Sequence, residues 1–187
     1  MMTDAYPLDA FVTDLRDATA TARTPAETLA RVRPLALRFA ADRTWLSPDH
    51  YRTDPDQGFL IHLLHEEPNH DLAVMALAWL PGRGTPPHDH GTWAIVVGVD
   101  GEELNEYWRR VDDRKRPGYA ELEKASERVC GPGDVVQMLP GAIHSVTNVG
   151  SGVALSLHVY GRHVNHTGRS QFDVAAKTET PWVAKTA

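Results

Sequence analysis

The chain of 187 residues contains a single cysteine, Cys130, which excludes an internal disulfide framework and fits a reducing compartment. It has no long apolar run. The longest, about residues 72 to 80, is far short of the roughly 20 residues that a membrane-spanning helix needs. The opening stretch MMTDAYPLDAFVTDL lacks the basic start and apolar core of a signal peptide, so a soluble, cytoplasmic protein is expected. Basic residues are scarce: 19 Lys and Arg against 25 Asp and Glu leave a formal charge of −6, and the one basic cluster is the short run Arg114-Lys115-Arg116. No nucleic-acid partner is expected from that balance. Gly-rich phosphate loops, βαβ alternation, internal repeats and low-complexity segments are missing too, which argues against a nucleotide-binding fold.

The chain does contain a helical preface followed by a series of short apolar segments. Thr24-Pro25 has the chemistry of a helix start, with Thr24 as N-cap, Pro25 at the first helical position and Glu27 in the first turn. Leu29, Val32, Leu35, Leu37 and Phe39 then give a mostly helical apolar stripe to about Ala41, and an earlier amphipathic segment runs from about Leu8 to Ala20. After Ser47-Pro48-Asp49 the pattern changes to GFLIHLLHE, DLAVMALAWL, HGTWAIVVGVDG, ELNEYWRRV, DVVQML and GVALSLHVYG. A spacing of roughly ten residues, with Gly, Pro, Asn and Asp between the runs, predicts an all-β sandwich or barrel. One domain is expected, with a helical segment at 1–44, a β body at 45–175 and a loosely attached C-terminal arm at 176–187.

Ten histidines are the one compositional excess, and two of them stand in PPHDHGTW. In a strand, residues two apart share a face, so His88 and His90 can converge on one point. Two imidazoles alone hold a metal weakly, and a third ligand has to come from elsewhere. His144 offers it: the apolar run Val135 to Leu139 is followed by the turn Pro140-Gly141, and the histidine stands just after, where a new strand can begin. Asp89, between the two histidines, points the other way and reads as a supporting residue. A second period-two pattern is Ser156-Leu-His158-Val-Tyr160, polar on one face and apolar on the other.

These pieces resemble the cupin superfamily. Gly82, five residues, then His88 and His90 is similar to its first motif, and Gly133, Pro140, His144 and Asn148 to its second. Many cupins add a glutamate ligand just after the second histidine. Here Ala94 and Ile95 hold those positions, and the first acidic side chains, Asp100, Glu102 and Glu103, come beyond the strand. The resemblance therefore implies a mainly β fold, a double-stranded β-helix or jelly-roll barrel with N-terminal helices, and a site of three neutral histidines with no carboxylate. Such a site leaves a divalent ion its full charge and open positions for an anionic ligand. It is a relative of the two-histidine, one-carboxylate triad of non-haem iron oxygenases, with zinc held by three histidines as the competing reading.

Three histidines combined with the Ser-x-His-x-Tyr pattern resemble the thiol dioxygenases, the family of cysteine dioxygenase and 3-mercaptopropionate dioxygenase, over about residues 58 to 173. The resemblance implies Fe(II) on His88, His90 and His144, a hydrogen-bonded relay through Ser156, His158 and Tyr160, and oxidation of a small thiol carboxylate by O2 to its sulfinic acid. Thiol and O2 are the only partners implied, and no organic cofactor is needed. For the substrate carboxylate it points to Arg169, nine residues past Tyr160, with Arg162 and His62 left open as anchors. The sequence departs from the mammalian enzymes in two ways. No cysteine lies between Gly91 and Val129 to crosslink the tyrosine, and His62, by a gapless count, takes the place of their strand arginine. The alternatives are another metal-dependent cupin enzyme, a non-thiol dioxygenase or an isomerase, and a non-catalytic ligand-binding cupin.

Overall fold

Thr24 caps its helix as the sequence predicts, its hydroxyl accepting the backbone N–H of Glu27 at 3.2 Å. In the computed structural model, which describes residues 5–187, the chain forms α1 (Leu8–Ala20) and α2 (Pro25–Asp42). Eleven strands follow: β1 (Phe59–Glu66), β2 (Asp71–Trp79), β3 (Gly84–His88), β4 (Ala94–Asp100), β5 (Glu103–Arg110), β6 (Leu122–Cys130), β7 (Val135–Met138), β8 (Ile143–Asn148), β9 (Ala154–Arg162), β10 (Ser170–Asp173) and β11 (Thr178–Pro181). They build two sheets, in the orders β1-β2-β9-β4-β7 and β11-β10-β3-β8-β5-β6. Every pairing between these strands is antiparallel. None of the described helices is long and apolar enough to cross a membrane.

The five-stranded sheet is covered on both faces. Its outer face, with Val74, Ala76, Ile95, Val97, Leu155, Leu157 and Val159, packs in one apolar cluster with Phe11, Leu15, Val32 and Phe39 of the two helices. Phe11 and Phe39 stack with centroids 4.3 Å apart. The inner face, with Phe59, Ile61, Met75, Leu77, Trp79 and Val96, forms a second cluster inside the barrel. Covering by helices explains why β2 reads as a near-continuous apolar run rather than an alternating one. It also settles the orientation of β9, the central strand of this sheet. Its aliphatic residues pack under the helices, so Ser156, His158 and Tyr160 turn into the barrel.

The C-terminal segment corrects one expectation. Residues 176–187 are not a loosely attached arm: β11 pairs with β10, Trp182 packs against the barrel interior, and Ala184 is buried. Thr186 bridges to Ile61, and Asn165 holds Ala184 through both its amide oxygen and its amide nitrogen. Arg110, half-buried at the end of β5, pairs with Asp112 and with Glu179 of β11, each at 2.7 Å. Composition hides this attachment because the contacts are polar pairs and single aromatic anchors, not a periodic apolar pattern.

At Gly84 β3 lies tight against β8, since a Cβ there would sit 1.8 Å from the Val146 carbonyl oxygen. Gly84→Ala must prise apart the two strands that carry His88 and His144. The expected outcome is a loss of about 3 kcal/mol or more, read as a lower urea midpoint, together with weaker metal retention.

Candidate metal centre

The double proline ahead of His88 shapes the local backbone. Pro86 and Pro87 cannot donate to the sheet, and the β3–β8 ladder shifts register between Thr85 and His88. The Pro86 carbonyl is thereby free to accept the His88 Nδ1–H at 3.0 Å, which leaves Nε2 bare and turned inward. Past His90 the chain turns at Gly91 with φ of +64°, a backbone that favours glycine. Trp93 then packs outward beneath the helices, as its alternation from His90 predicts.

His88, His90 and His144 are all buried, and one ring nitrogen of each lies within 4.8 Å of the others. The Nε2 atoms of His88 and His90 are 3.1 Å apart, a spacing suited to two ligands of one ion with metal–nitrogen bonds of about 2.1 Å. His144 donates Nδ1–H to Asn105 Oδ1 at 3.2 Å, and its Nε2 has no hydrogen-bond partner. A buried nitrogen lone pair without a donor is costly in a protein that leaves it empty. The donor set thus fits a divalent transition metal, with the outward Nδ1 atoms of His88 and His144 pinned by a carbonyl and an amide.

Burial keeps all three rings neutral, assisted by their mutual repulsion and by Arg169. His88 and His90 are held well below the usual imidazole range, and His144 is lowered to about 3. Neutral imidazoles bind metal without first losing a proton. Asp89 does turn away from the site, as expected. Its Oδ1 accepts the Ser170 N–H at 2.9 Å and its own N–H donates to the Ser170 carbonyl, tying the histidine turn to the segment that carries Arg169.

Beside the histidines runs a hydrogen-bonded chain. Ser156 Oγ is 2.8 Å from His158 Nε2, and His158 Nδ1 is 2.7 Å from the Tyr160 hydroxyl. Burial lowers His158 to about 3 and raises the Tyr160 phenol. The Tyr160 ring meets His90 edge to face at 5.1 Å, so the chain ends at the candidate metal site.

The three proposed carboxylate anchors fall in different places. Arg169 is only 5% exposed and lines the same cavity as the histidines and Tyr160. Its guanidinium stacks on Trp182 at 3.9 Å, while Nε and Nη2 have no partner. Burial lowers it to about 10, so it stays cationic at neutral pH. Arg162 does not reach the cavity: it pairs with Asp71 at 3.1 Å and donates to the His166 carbonyl on the exterior. His62 does not reach it either. The buried ring lies against the segment that follows α2, with Nε2 2.9 Å from the Arg52 carbonyl and His50 beside it. The residues of β1 that face the cavity are Phe59 and Ile61, and the alternation turns His62 away.

Asn105, Trp182 and Trp79 belong to this centre and escape sequence reasoning. Asn105 sits in ELNEYW, whose alternation marks one inward face but not what it meets. The cavity is tight, with about 20 Å³ open to the centre of a water molecule, roughly what one water needs. A larger open groove lined by Pro86, Pro87, Phe172 and Thr178 contains no histidine.

No family model matches the sequence. Among solved structures, the chain is similar to an uncharacterised conserved protein with a double-stranded β-helix domain from Klebsiella pneumoniae, with TM-score 0.51, 16% identity, and coverage of 70% of this chain and 93% of that one. An oxalate oxidase in complex with glycolate matches at TM-score 0.46 and 20% identity, over 59% of this chain. The chain spans only 54% of that oxidase's length. A cupin superfamily protein from Desulfitobacterium hafniense matches at 0.43 and 14%, over 60% of this chain and 82% of that one. The fold is a mainly β double-stranded β-helix with two N-terminal helices, and it encloses a three-histidine cluster able to hold a metal.

Because His144 and His158 favour the neutral form when folded, the unfolded chain takes up protons first, from about pH 6.5 downward. Their contribution is complete above that pH and is lost as pH falls towards about 3. Urea unfolding of metal-free protein is expected to lose about 1.4 kcal/mol per pH unit for each histidine in that window, and His158→Gln to remove one histidine's share. A midpoint that stays flat would contradict the burial of neutral rings.

Proposed function

We propose that the protein is a non-haem iron(II) thiol dioxygenase acting on a small thiol carboxylate, with 3-mercaptopropionate ahead of cysteine. The observation that carries this reading is Arg169, a buried guanidinium with unpartnered nitrogens in the cavity that also holds the three histidines and Tyr160. A buried charge without a partner is strongly unfavourable unless an anion completes it. The planar guanidinium suits a carboxylate, which it can engage through two N–H groups.

The reaction is RSH + O2 → RSO2H, in which sulfur is oxidised and both oxygen atoms end on it. Iron(II), held by Nε2 of His88, His90 and His144, would supply the one-electron chemistry that lets dioxygen react with a thiol. The chain's own residues do the rest. Arg169 fixes the acid end of the substrate, and the flat face of Trp182 holds Arg169 in place. Tyr160, oriented by His158, presents a phenol oxygen to the reacting groups, and Ser156 fixes the imidazole in turn. Phe59, Ile61, Leu77, Val146 and Val164 line the cavity and keep it dry, which strengthens each polar contact.

The same lining favours 3-mercaptopropionate over cysteine. An α-ammonium group would meet aliphatic walls and the cation Arg169, with no carboxylate among the lining residues to receive it. 3-Mercaptopropionate brings only the thiol and the anion.

Oxygen uptake by anaerobically iron-loaded protein tests this with 3-mercaptopropionate, cysteine, cysteamine and mercaptosuccinate. The highest kcat/KM is expected for 3-mercaptopropionate, with one sulfinate formed per O2, and cysteamine, which lacks a carboxylate, is expected to be poor. No uptake with any of the four sinks the proposal, and zinc retained with iron refused points to a different cupin chemistry. His144→Ala is expected to lose both iron and turnover. Arg169→Gln is expected to raise KM for 3-mercaptopropionate about 100-fold, and Tyr160→Phe to lower kcat about 100-fold. His62→Gln and Arg162→Gln leave the substrate ranking unchanged.

A further inference from the structure

The cavity has room for about one water, yet a ligand reaching from a metal on the three histidines to the Arg169 guanidinium is larger than that. The histidines are themselves buried, so a metal ion has no open path to them either. Part of the wall has to move, and the topology shows which part. β1 is one edge of the five-stranded sheet and β11 one edge of the six-stranded sheet. Residues 182–187 run from the end of β11 to β1, where Thr186 bridges Ile61, and so cover the seam between the two edges.

We propose that residues 182–187 form a strap over the entrance to the metal cavity, and that Asn165 and Gln57 are the clasps whose release admits the metal ion and an anionic ligand. Trp182 and Ala184 face inward, while Val183 and Lys185 face solvent. The Trp182 ring lies 3.9 Å from the Arg169 guanidinium, 4.8 Å from the His88 ring and 6.3 Å from Phe59 across the seam. Withdrawing that one side chain uncovers both the cation and a metal ligand.

The strap is held lightly. Residues 182–185 belong to no helix or strand, and two side-chain amides take the place of a neighbouring strand. Asn165 accepts the Ala184 N–H at 3.0 Å and donates to the Ala184 carbonyl at 2.9 Å. Gln57 accepts the Lys185 N–H at 2.7 Å and donates to the Lys185 carbonyl at 3.4 Å. The Trp182 N–H donates to the Arg169 carbonyl at 3.0 Å and the Ala187 N–H to the Ile61 carbonyl at 2.8 Å. Lys185 adds an exposed ion pair with Asp54 at 3.0 Å, which contributes little in water.

The rest of the wall is held more firmly. β2, β8 and β9 are each paired along both edges. A segment tied by a few exposed hydrogen bonds opens at lower cost than a strand with two partners. Opening at the clasps leaves every one of those ladders intact. The metal centre and Arg169 stay in place, and only their cover is removed. The identity of the anion rests on the dioxygenase reading above, whereas the strap itself concerns access to the histidines.

Zinc transfer between the full-length protein and a chromogenic chelator tests the strap by stopped flow, with affinity measured by equilibrium competition. Each of Asn165→Ala and Gln57→Ala removes two hydrogen bonds to the strap and is expected to speed zinc uptake and zinc release alike, about tenfold. The affinity is expected to stay unchanged, because opening precedes both entry and exit. Unaltered rates in both variants overturn the proposal. So does faster release matched by an equal loss of affinity, which would make the clasps supports of the ligand geometry. Hydrogen exchange of the metal-free protein is the second measurement. The amides of Trp182, Ala184, Lys185 and Ala187 are expected to exchange together, well ahead of β9, and faster in each variant. Exchange of the four only at the rate of β9 overturns the strap. Oxygen uptake is scored separately: strap opening without thiol oxidation sinks only the dioxygenase reading, and thiol oxidation with zinc and exchange rates unaltered sinks only this one.

Discussion

Three imidazoles can face one another inside a dry barrel only if each is uncharged, and that requirement governs the surroundings of His88, His90 and His144. Burial supplies the neutrality. The tautomers of His88 and His144 follow from where the outward nitrogens find acceptors, at the Pro86 carbonyl and the Asn105 amide. The cation that lowers their proton affinity further, Arg169, is itself buried beside them and stabilised by the face of Trp182 rather than by a carboxylate. A carboxylate there would neutralise the guanidinium and leave nothing to attract an anionic ligand. The centre is electropositive because its acids are kept elsewhere: Asp89 is turned outward onto Ser170, and Glu103 is not among the residues that line the cavity.

Much of this was legible in the residues. The helix start at Thr24-Pro25, the change from helical to strand spacing near residue 47, and the period-two placement of Ser156, His158 and Tyr160 all follow from local chemistry. So does the convergence of His88 with His90, although His90 sits just past the end of β3 and reaches the site through the glycine turn. Less legible were features set by partners far away in sequence. Whether the polar face of β9 turns in or out depends on which face the helices cover, and alternation alone carries no such sign. His62 and Ile61 are adjacent, and of the two only Ile61 lines the cavity, a difference that FLIHLLHE by itself does not mark. Asn105 and Trp182 matter through contacts with His144, Arg169 and His88 that no local pattern announces.

The helices and the C-terminal segment act on opposite sides of the same cavity. α1 and α2 press on the outer face of the five-stranded sheet, while Trp182 and Ala184 pack against the barrel interior near Phe59 and Ile61. Phe59 and Trp182 meet edge to face at 6.3 Å, so a residue early in the β region and one near position 180 share one wall. This is why segments whose composition suggests a preface and an arm are parts of the site's construction.

β9 has a consequence of its own. Leu155, Leu157 and Val159 lie under the helices while Ser156, His158 and Tyr160 line the interior, so a slip of one residue would put three aliphatic side chains in the cavity and bury three polar ones against Phe39 and Val32. The helical cover is thus a register lock. By refusing polar residues on its own side, it holds the phenol opposite the histidines without touching either.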